Sequence, residues 1–165
     1  MLNPTAAILI IGDEILSGRT RDSNMHYLSC ELTKIGIDLQ EARFIPDNAA
    51  KIIDDVRCLS SKYDYVFTSG GIGPTHDDIT ADCIAAAFET EISIREDAFN
   101  LLENYYSEQN IDFNSARQRM ARIPNGAKLI DNPISVAPGF YLNNVFVMAG
   151  VPNIFQSMVQ SILPL

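Results

Sequence analysis

The sequence predicts an α/β fold built on a parallel sheet. Ala6-Ala7-Ile8-Leu9-Ile10-Ile11 is an uninterrupted apolar run ended by Gly12, the pattern of a strand covered on both faces. Up to Phe88, β-rich segments alternate with stretches of helical periodicity, which implies βαβαβ units joined by right-handed crossovers. Tyr65-Val66-Phe67-Thr68 then runs into Ser69-Gly70-Gly71-Ile72-Gly73-Pro74-Thr75-His76-Asp77-Asp78, a glycine-rich connection between a strand end and a helix start.

After the first strand, Asp13 to Asp22 reads as a polar loop. Ser23 or Asn24 can cap a helix in which Met25, Leu28, Leu32 and Ile35 recur at helical spacing, and Gly36 closes it. A second strand is expected around Leu39 to Ile45, then Pro46-Asp47-Asn48 and a helix carrying Ile52, Ile53, Val56 and Leu59. The third strand is Tyr65 to Thr68, with a helix over Ile79 to Phe88. Ile92-Ser93-Ile94 reads as a short strand, Glu96 to Gln109 and Ser115 to Ala121 as helices, and Ala127 to Ile130 as a strand. Gly139 to Leu142 pairs with Val145 to Met148 as a hairpin over Asn143-Asn144, and Pro152 to Leu163 forms a final amphipathic helix. With no internal repeat or linker, residues 1–165 read as one domain.

Composition narrows the function. An apolar fraction of 47% over 165 residues is that of a globular domain with a real core. A net charge of −9, with no run among the twelve Lys and Arg residues, argues against nucleic acid as a principal partner. Cys30, Cys58 and Cys83 show no metal spacing and read as reduced, half-buried thiols. The apolar run from Ala6 is too short to span a bilayer and the N-terminus lacks a basic leader, so the expected location is cytoplasmic, away from membranes.

Ligands of parallel α/β sheets bind beyond the carboxyl ends of the strands. Here those ends carry Gly12-Asp13-Glu14, Pro46-Asp47 and the glycine loop with Asp77 and Asp78. Glycines let backbone N–H groups converge on an anion beside a helix start, so the loop reads as a phosphate cradle. It matches neither the Rossmann nor the Walker spacing. Carboxylates beside a phosphate repel it unless a divalent cation lies between, which favours a Mg²⁺-type site sharing phosphate oxygens. The competing reading makes Asp77 or Asp78 a helix cap, Asp47 the cap of the helix near Ala49, and Ser23 and Asn24 caps of theirs. Asp82, a turn beyond Asp78, complements the helix dipole. His76 reads as a solvated loop residue with proton transfer as the alternative, and His26 as a surface or structural residue. Arg117, Arg119 and Arg122 read as a solvated face, against an arginine reaching a ligand phosphate. The loops Asn132 to Phe140 and Ala149-Gly150-Val151-Pro152 read singly as shaped connections.

Taken in order, Gly12-Asp13-Glu14-Ile15-Leu16-Ser17-Gly18, Ser23-Asn24, Ser69 to Thr80, Asn132-Pro133, Ala137-Pro138-Gly139-Phe140 and Ala149-Gly150-Val151-Pro152 resemble the molybdopterin-binding-like domain of the competence-damage-inducible CinA family. The similarity covers nearly the whole chain, and the GGxGPTxDD loop is its most specific part. It implies a three-layer α/β/α fold with a mostly parallel sheet, shared with MoaB and Mog. Members of that broader fold bind molybdopterin, and the Mog type transfers AMP from ATP onto it with Mg²⁺. The CinA-like branch is linked to metal-dependent hydrolysis of ADP-ribose-type pyrophosphates, and a related domain accompanies eukaryotic FAD synthases. Ile72 stands where the Mog-type loop usually has Thr, which weakens the adenylyltransferase reading. Val151-Pro152-Asn153-Ile154 replaces the Pro-rich segment and Glu common in CinA proteins. Their second, deamidating domain is not expected here.

The resemblance implies that Gly70, Gly71 and Gly73 cradle phosphate and that Asp78 takes the place of the functional acid. The expected activity is metal-dependent cleavage of ADP-ribose- or FAD-like diphosphates, with Asp78, Asp77 and Asp13 catalytic and Asp13, Asp47 and Asp78 on the metal. Gly12, Glu14, Ser23, Asn24, Ser69, Pro74, Thr75, Pro138, Gly139 and Gly150 complete the expected ligand site. A non-catalytic module for molybdopterin and a Mog-type adenylyltransferase are the alternatives. The expected partners are a nucleotide or pterin phosphate and further copies of the chain, as a dimer or trimer. The apolar face of Phe155, Met158 and Ile162 reads as core packing or as an interface.

Overall fold

In the computed structural model, which describes residues 2–164, β1 (Thr5–Ile11) leads through a helical turn, α1 (Asp13–Leu16), to α2 (Asn24–Lys34) and β2 (Asp38–Ile45). There follow α3 (Ala49–Lys62), β3 (Tyr65–Ser69), α4 (Thr80–Ala87), β4 (Ile92–Ile94), α5 (Glu96–Glu108) and α6 (Ser115–Gln118). A 3₁₀ turn (Arg119–Ala121) then leads into β5 (Arg122–Pro124), β6 (Lys128–Ile130), β7 (Gly139–Leu142), β8 (Val145–Met148) and α7 (Pro152–Ile162).

The alternation of side chains along β1 builds the three layers. Ala7, Leu9 and Ile11 pack against Ile52, Val56 and Leu59 of α3 and Cys83 and Ile84 of α4. Ala6, Ile8 and Ile10 point the other way, onto Leu28 and Leu32 of α2 and Phe155, Met158 and Val159 of α7. Each large apolar side chain so buried contributes roughly 1.5–3 kcal/mol. Phe155 and Met158 are fully buried in the core, and Ile162 is partly buried beside them.

The main sheet has six strands in the order β2-β1-β3-β8-β7-β6. β2, β1, β3 and β8 run parallel to one another, and β7 runs antiparallel to both of its partners, β8 and β6. The chain leaves β1 toward β2 on one side, yet continues from β3 toward β8 on the other. Connections therefore diverge between β1 and β3, and a cleft opens beyond their carboxyl ends.

Several expectations need correction. The segment after β1 begins with the α1 turn, because Ile15 folds onto the β1–α2 core and Ile15 and Leu16 donate their N–H groups to the Gly12 carbonyl. Neither Ser23 nor Asn24 caps α2 through its side chain; the Asp22 carboxylate accepts from the N–H groups of Asn24 and Met25 at 3.1 and 3.2 Å. Asn48, not Asp47, caps α3 by accepting from Lys51 N–H at 3.0 Å. α4 has no side-chain cap, so neither Asp77 nor Asp78 fills that role. The helix expected over Ser115 to Ala121 ends at Gln118 and tightens to 3₁₀. β5 was not expected; three residues are too few to show a period, and the strand exists only by pairing with β4 in a separate two-stranded sheet. Cys30 and Cys58 are exposed, not half-buried, while Cys83 is buried and its thiol is pushed up to about 11, chiefly by burial.

Beside α3, the Glu41 carboxylate accepts from the Tyr63 hydroxyl at 2.7 Å, Arg43 Nε at 2.5 Å and Lys62 Nζ at 3.1 Å. The Tyr63 hydroxyl first, then Arg43 and Lys62, hold its carboxyl down to about 2 against an ordinary value of 4.5. A carboxyl lowered by folding contributes stability above its unfolded value and loses it as pH falls through the folded one. Glu41→Gln is therefore expected to flatten the loss of melting temperature between pH 4.5 and about 2. At pH 7 the cost should stay within about 1 kcal/mol, because solvent screens the pair. Superimposable acid limbs in the two proteins would count against this role for Glu41.

Candidate functional site

Three strand ends converge in the cleft with almost no side chain between them. Gly70 and Gly71, just past β3, have φ of +104° and +77°, where a side chain is strained. A Cβ at Gly70 would also lie 2.2 Å from the Ile11 carbonyl oxygen, and one at Gly71 2.0 Å from Thr80 Oγ1. Thr80, fully buried at the start of α4, donates its hydroxyl to the Gly70 carbonyl at 2.9 Å and its N–H to the Gly71 carbonyl at 3.0 Å. Gly150, after β8, lies against Gly70 closely enough that a Cβ there would be 3.2 Å from the Gly70 Cα. Asn24 ties these ends together, donating its side-chain amide to Ser69 Oγ at 2.8 Å and to the Gly150 carbonyl at 3.0 Å.

The cleft holds a cavity of about 510 Å³ walled by the Gly70–Pro74 loop, Gly150 and the carboxylate residues Glu14 and Asp78. The remaining wall is largely apolar, from Met120, Ala137, Val151, Pro152 and Ile154. Asn132 stiffens the adjoining loop: its amide donates to Ser135 Oγ and the Ala137 carbonyl, and its carbonyl accepts from Ile134 and Ser135 N–H groups. One side of the cavity thus offers backbone and negative charge, and the other a surface for a flat apolar ring.

Around it the acids are ordered by the chain itself. Asp13 and Asp47 clasp one another: Asp13 N–H donates to Asp47 Oδ2 and Asp47 N–H to Asp13 Oδ1, both at 3.1 Å. Asp78 Oδ2 accepts from Thr75 N–H and Thr75 Oγ1, both at 2.9 Å. Burial is the main reason the Asp47 carboxyl is raised; the Asp13 N–H opposes it, and the charges of Asp13, Glu14 and Asp78 add to it. Asp47 consequently holds its proton to a higher pH than a free Asp, and a cation among these carboxylates would draw that proton off. Among the described residues, no three His, Cys, Asp or Glu side chains stand together closely enough to hold a metal ion, so Asp13, Asp47 and Asp78 are not by themselves a closed cage. Mg²⁺ ordinarily takes only one or two carboxylates and completes its shell with phosphate oxygens and water.

Of the residues expected at the site, Glu14, Gly70, Gly71, Gly73, Pro74, Asp78 and Gly150 line the cavity. Gly12 lies under the Glu14 carboxylate and Gly73 under that of Asp78. Ser69 and Asn24 are buried behind the cradle, and Thr75 braces Asp78 from outside. Pro138 belongs to a neighbouring crevice, and Gly139 is needed for close packing, since a Cβ there would be 2.4 Å from the Val147 carbonyl oxygen. Two corrections concern the loop tip and the start of α2. The Asp77 side chain is 77% exposed and among the described residues pairs only with His76, at 3.4 Å, outside the cavity wall, while His76, 91% exposed, fits its reading as a solvated loop residue. Ser23 is exposed and also off the wall. Thr20, Met120 and Ile154 line the cavity without having been expected there. Met120 lies more than forty residues from the glycine loop, so no local signal connects them.

Comparison with known proteins follows the same outline. A family profile described as "Probable molybdopterin binding domain" matches residues 7–165. A protein of Metallosphaera sedula is 36% identical over 164 residues, covering 96% of this chain and 62% of that protein. The chain therefore spans less than two thirds of the length of that relative. A Caenorhabditis elegans protein named "Probable FAD synthase" is 36% identical over 167 residues, covering 90% of this chain and 32% of that protein. Among solved structures, the protein CinA of unknown function from Thermoplasma acidophilum superposes with a TM-score of 0.86 at 29% identity, covering 94% of both chains. The tungsten cofactor synthesizing protein MoaB from Pyrococcus furiosus shares the fold, with a TM-score of 0.59 at 18% identity over 96% of this chain and 89% of that one. Among the described residues no helix is long and apolar enough to cross a membrane.

Proposed function

This chain belongs to the family of probable molybdopterin-binding domains, in its CinA-like form, and from that premise we propose that it is a divalent-cation-dependent nucleotide pyrophosphatase acting on ADP-ribose- or FAD-like diphosphates. The observation that carries this reading is the presence of the glycine-loop backbone and the Glu14 and Asp78 carboxylates on the walls of one cavity. Two like-charged groups would repel a diphosphate there, and a shared cation turns that repulsion into attraction. Glu14 and Asp78 would hold the cation, with Asp13 and Asp47 adding to the field that attracts it. When bound, such a cation neutralises phosphate charge and lowers the pKa of a bound water.

The chain's own residues supply binding and orientation. Backbone N–H groups from Gly71 to Gly73 hold the phosphates, that of Gly70 being taken by the Met148 carbonyl, Thr75 fixes the Asp78 carboxylate, and the Met120, Pro152 and Ile154 wall takes the flat face of a base and keeps water from it. The attacking group in this reading is water: the cavity wall carries the Thr20 and Ser135 hydroxyls, but among the described residues no Cys and no His that would serve as nucleophile or as their base. Water oxygen bonds to phosphorus, the bridging P–O bond breaks, and ADP-ribose yields AMP and ribose 5-phosphate. The name of the C. elegans relative supports a ligand with a nucleotide diphosphate linkage.

The family description and the apolar wall support a second reading, a module that binds molybdopterin or a similar pterin phosphate without turning it over. A panel of ADP-ribose, FAD, NAD and ATP with Mg²⁺, Mn²⁺ or Co²⁺, read out as AMP release, separates the two. The expected result is AMP from ADP-ribose or FAD only when metal is added. Silence across the panel with saturable pterin binding would replace it with the binding module, and AMP transfer from ATP only with a pterin acceptor would make it an adenylyltransferase.

A further inference from the structure

We propose that Arg119 is a ligand-binding residue of this site, supplying the positive charge that selects a diphosphate over a monophosphate; the inference rests on the phosphate-cradle reading above. Gly71, Ile72, Gly73, Asp78 and Met120 wall both the main cavity and a crevice of about 20 Å³ on its flank. Two cations line that crevice, Arg119 and Arg122. Arg122 is already neutralised, with Nη1 at 2.9 Å and Nη2 at 2.8 Å from the Asp82 carboxylate. Arg119 makes no ion pair among the described residues. Its Nη2 reaches only the Asp78 carbonyl, at 3.5 Å, and its Nε is buried with no hydrogen-bond partner.

A guanidinium has five donors in a rigid fork that fits phosphate oxygens, and a buried donor without a partner is costly to keep. Burying that donor costs the free protein stability, and the terminal nitrogens of the guanidinium, not Nε, are the donors that can meet an anion. The setting makes that anion specific. Asp13, Glu14, Asp47 and Asp78 give the cleft a negative field, and among the described residues Arg119 is the one cation lining either cavity that no carboxylate offsets. The crevice itself is too small for a phosphate. An anion meets Arg119 at its mouth, along the wall shared with the main cavity. A single phosphate seated on the loop amides is held there without it, whereas a second phosphate extends toward the fork.

Isothermal titration, in the presence of Mg²⁺, of the wild-type chain, Arg119→Gln and Arg119→Lys with ADP and with AMP tests this, with melting curves as the control for folding. Arg119→Gln is expected to weaken ADP binding roughly 10- to 100-fold, the range of a charge-assisted hydrogen bond, and to change AMP binding less than about threefold. Arg119→Lys, which keeps the charge but not the fork, should fall between, and wild-type binding of ADP should weaken more steeply with salt than that of Arg119→Gln. Should Arg119→Gln fail to fold, the Lys variant carries the same contrast between ADP and AMP. Equal losses for both nucleotides, or none, would overturn the assignment of Arg119 while leaving the cradle in place. No binding of either nucleotide to the wild-type chain would overturn the cradle reading and Arg119 with it.

Discussion

Replacing Asp78 by Asn is expected to lower metal-dependent AMP release from ADP-ribose by roughly 100-fold or more, while the melting temperature stays near that of the wild type. Asp78 Oδ2 accepts two hydrogen bonds from Thr75, and the carboxylate lies over Gly73. An Asn carbonyl can accept the same two bonds, so the loop turn survives and only the charge is removed. Asp78→Ala removes both, and its loss of activity alone would not separate chemistry from loop geometry. The Asn and Ala variants together do so. If Asn retains wild-type turnover and Ala loses it, Asp78 is a loop brace and the cation must be sought elsewhere on the cavity wall.

The second large effect is on folding. Gly70→Ala is expected to destabilise the chain by about 2–5 kcal/mol, from about 1–2 kcal/mol of left-handed backbone strain and about 1–3 kcal/mol of overpacking. For a chain of this size that lowers the melting temperature by roughly 5–15 °C. The obstruction is the backbone carbonyl of Ile11 at the end of β1, which no rotamer change relieves. At Gly71 the first obstruction is the Thr80 side chain, so Gly71→Ala together with Thr80→Ser would leave the clash in place, because the hydroxyl is the atom in contact. A melting temperature for Gly70→Ala within about 2 °C of wild type would show that the β1 and β3 ends are free to separate, and would undercut the cradle as a rigid anion site.

Both variants draw on a part of the chain whose importance is legible before any folding. The apolar run from Ala6, the helical periodicities and the strand that empties into a glycine loop are each local patterns, with periods set by backbone geometry. They determined the α/β class, the parallel half of the sheet, the β7–β8 hairpin and the placing of Glu14, the glycine loop and Asp78 at one edge. The short pieces escaped. β5 is strand only because β4 lies beside it, and α1 is helical only because Ile15 finds a core to enter.

Within the site, residue type alone left several roles open between capping and ligand binding, and packing settled how each side chain is used in the fold. Asp22 and Asn48 cap the helices, which leaves Asn24 to join the β3 and β8 ends and Asp47 to clasp Asp13. Asp77, adjacent to Asp78 in the chain, points into solvent because the turn that Thr75 closes orients one carboxylate inward and the other out. Arg119 and Met120 reach the glycine loop from the 3₁₀ turn before β5, a contact no periodicity encodes. The sequence by itself determined the elements, their order and the chemistry available at the strand ends, since these depend on neighbours a few residues apart. Only the tertiary structure decided which of those groups face the cavity, which brace it, and which distant arginine stands beside it, because those depend on contacts between segments that the chain separates by tens of residues.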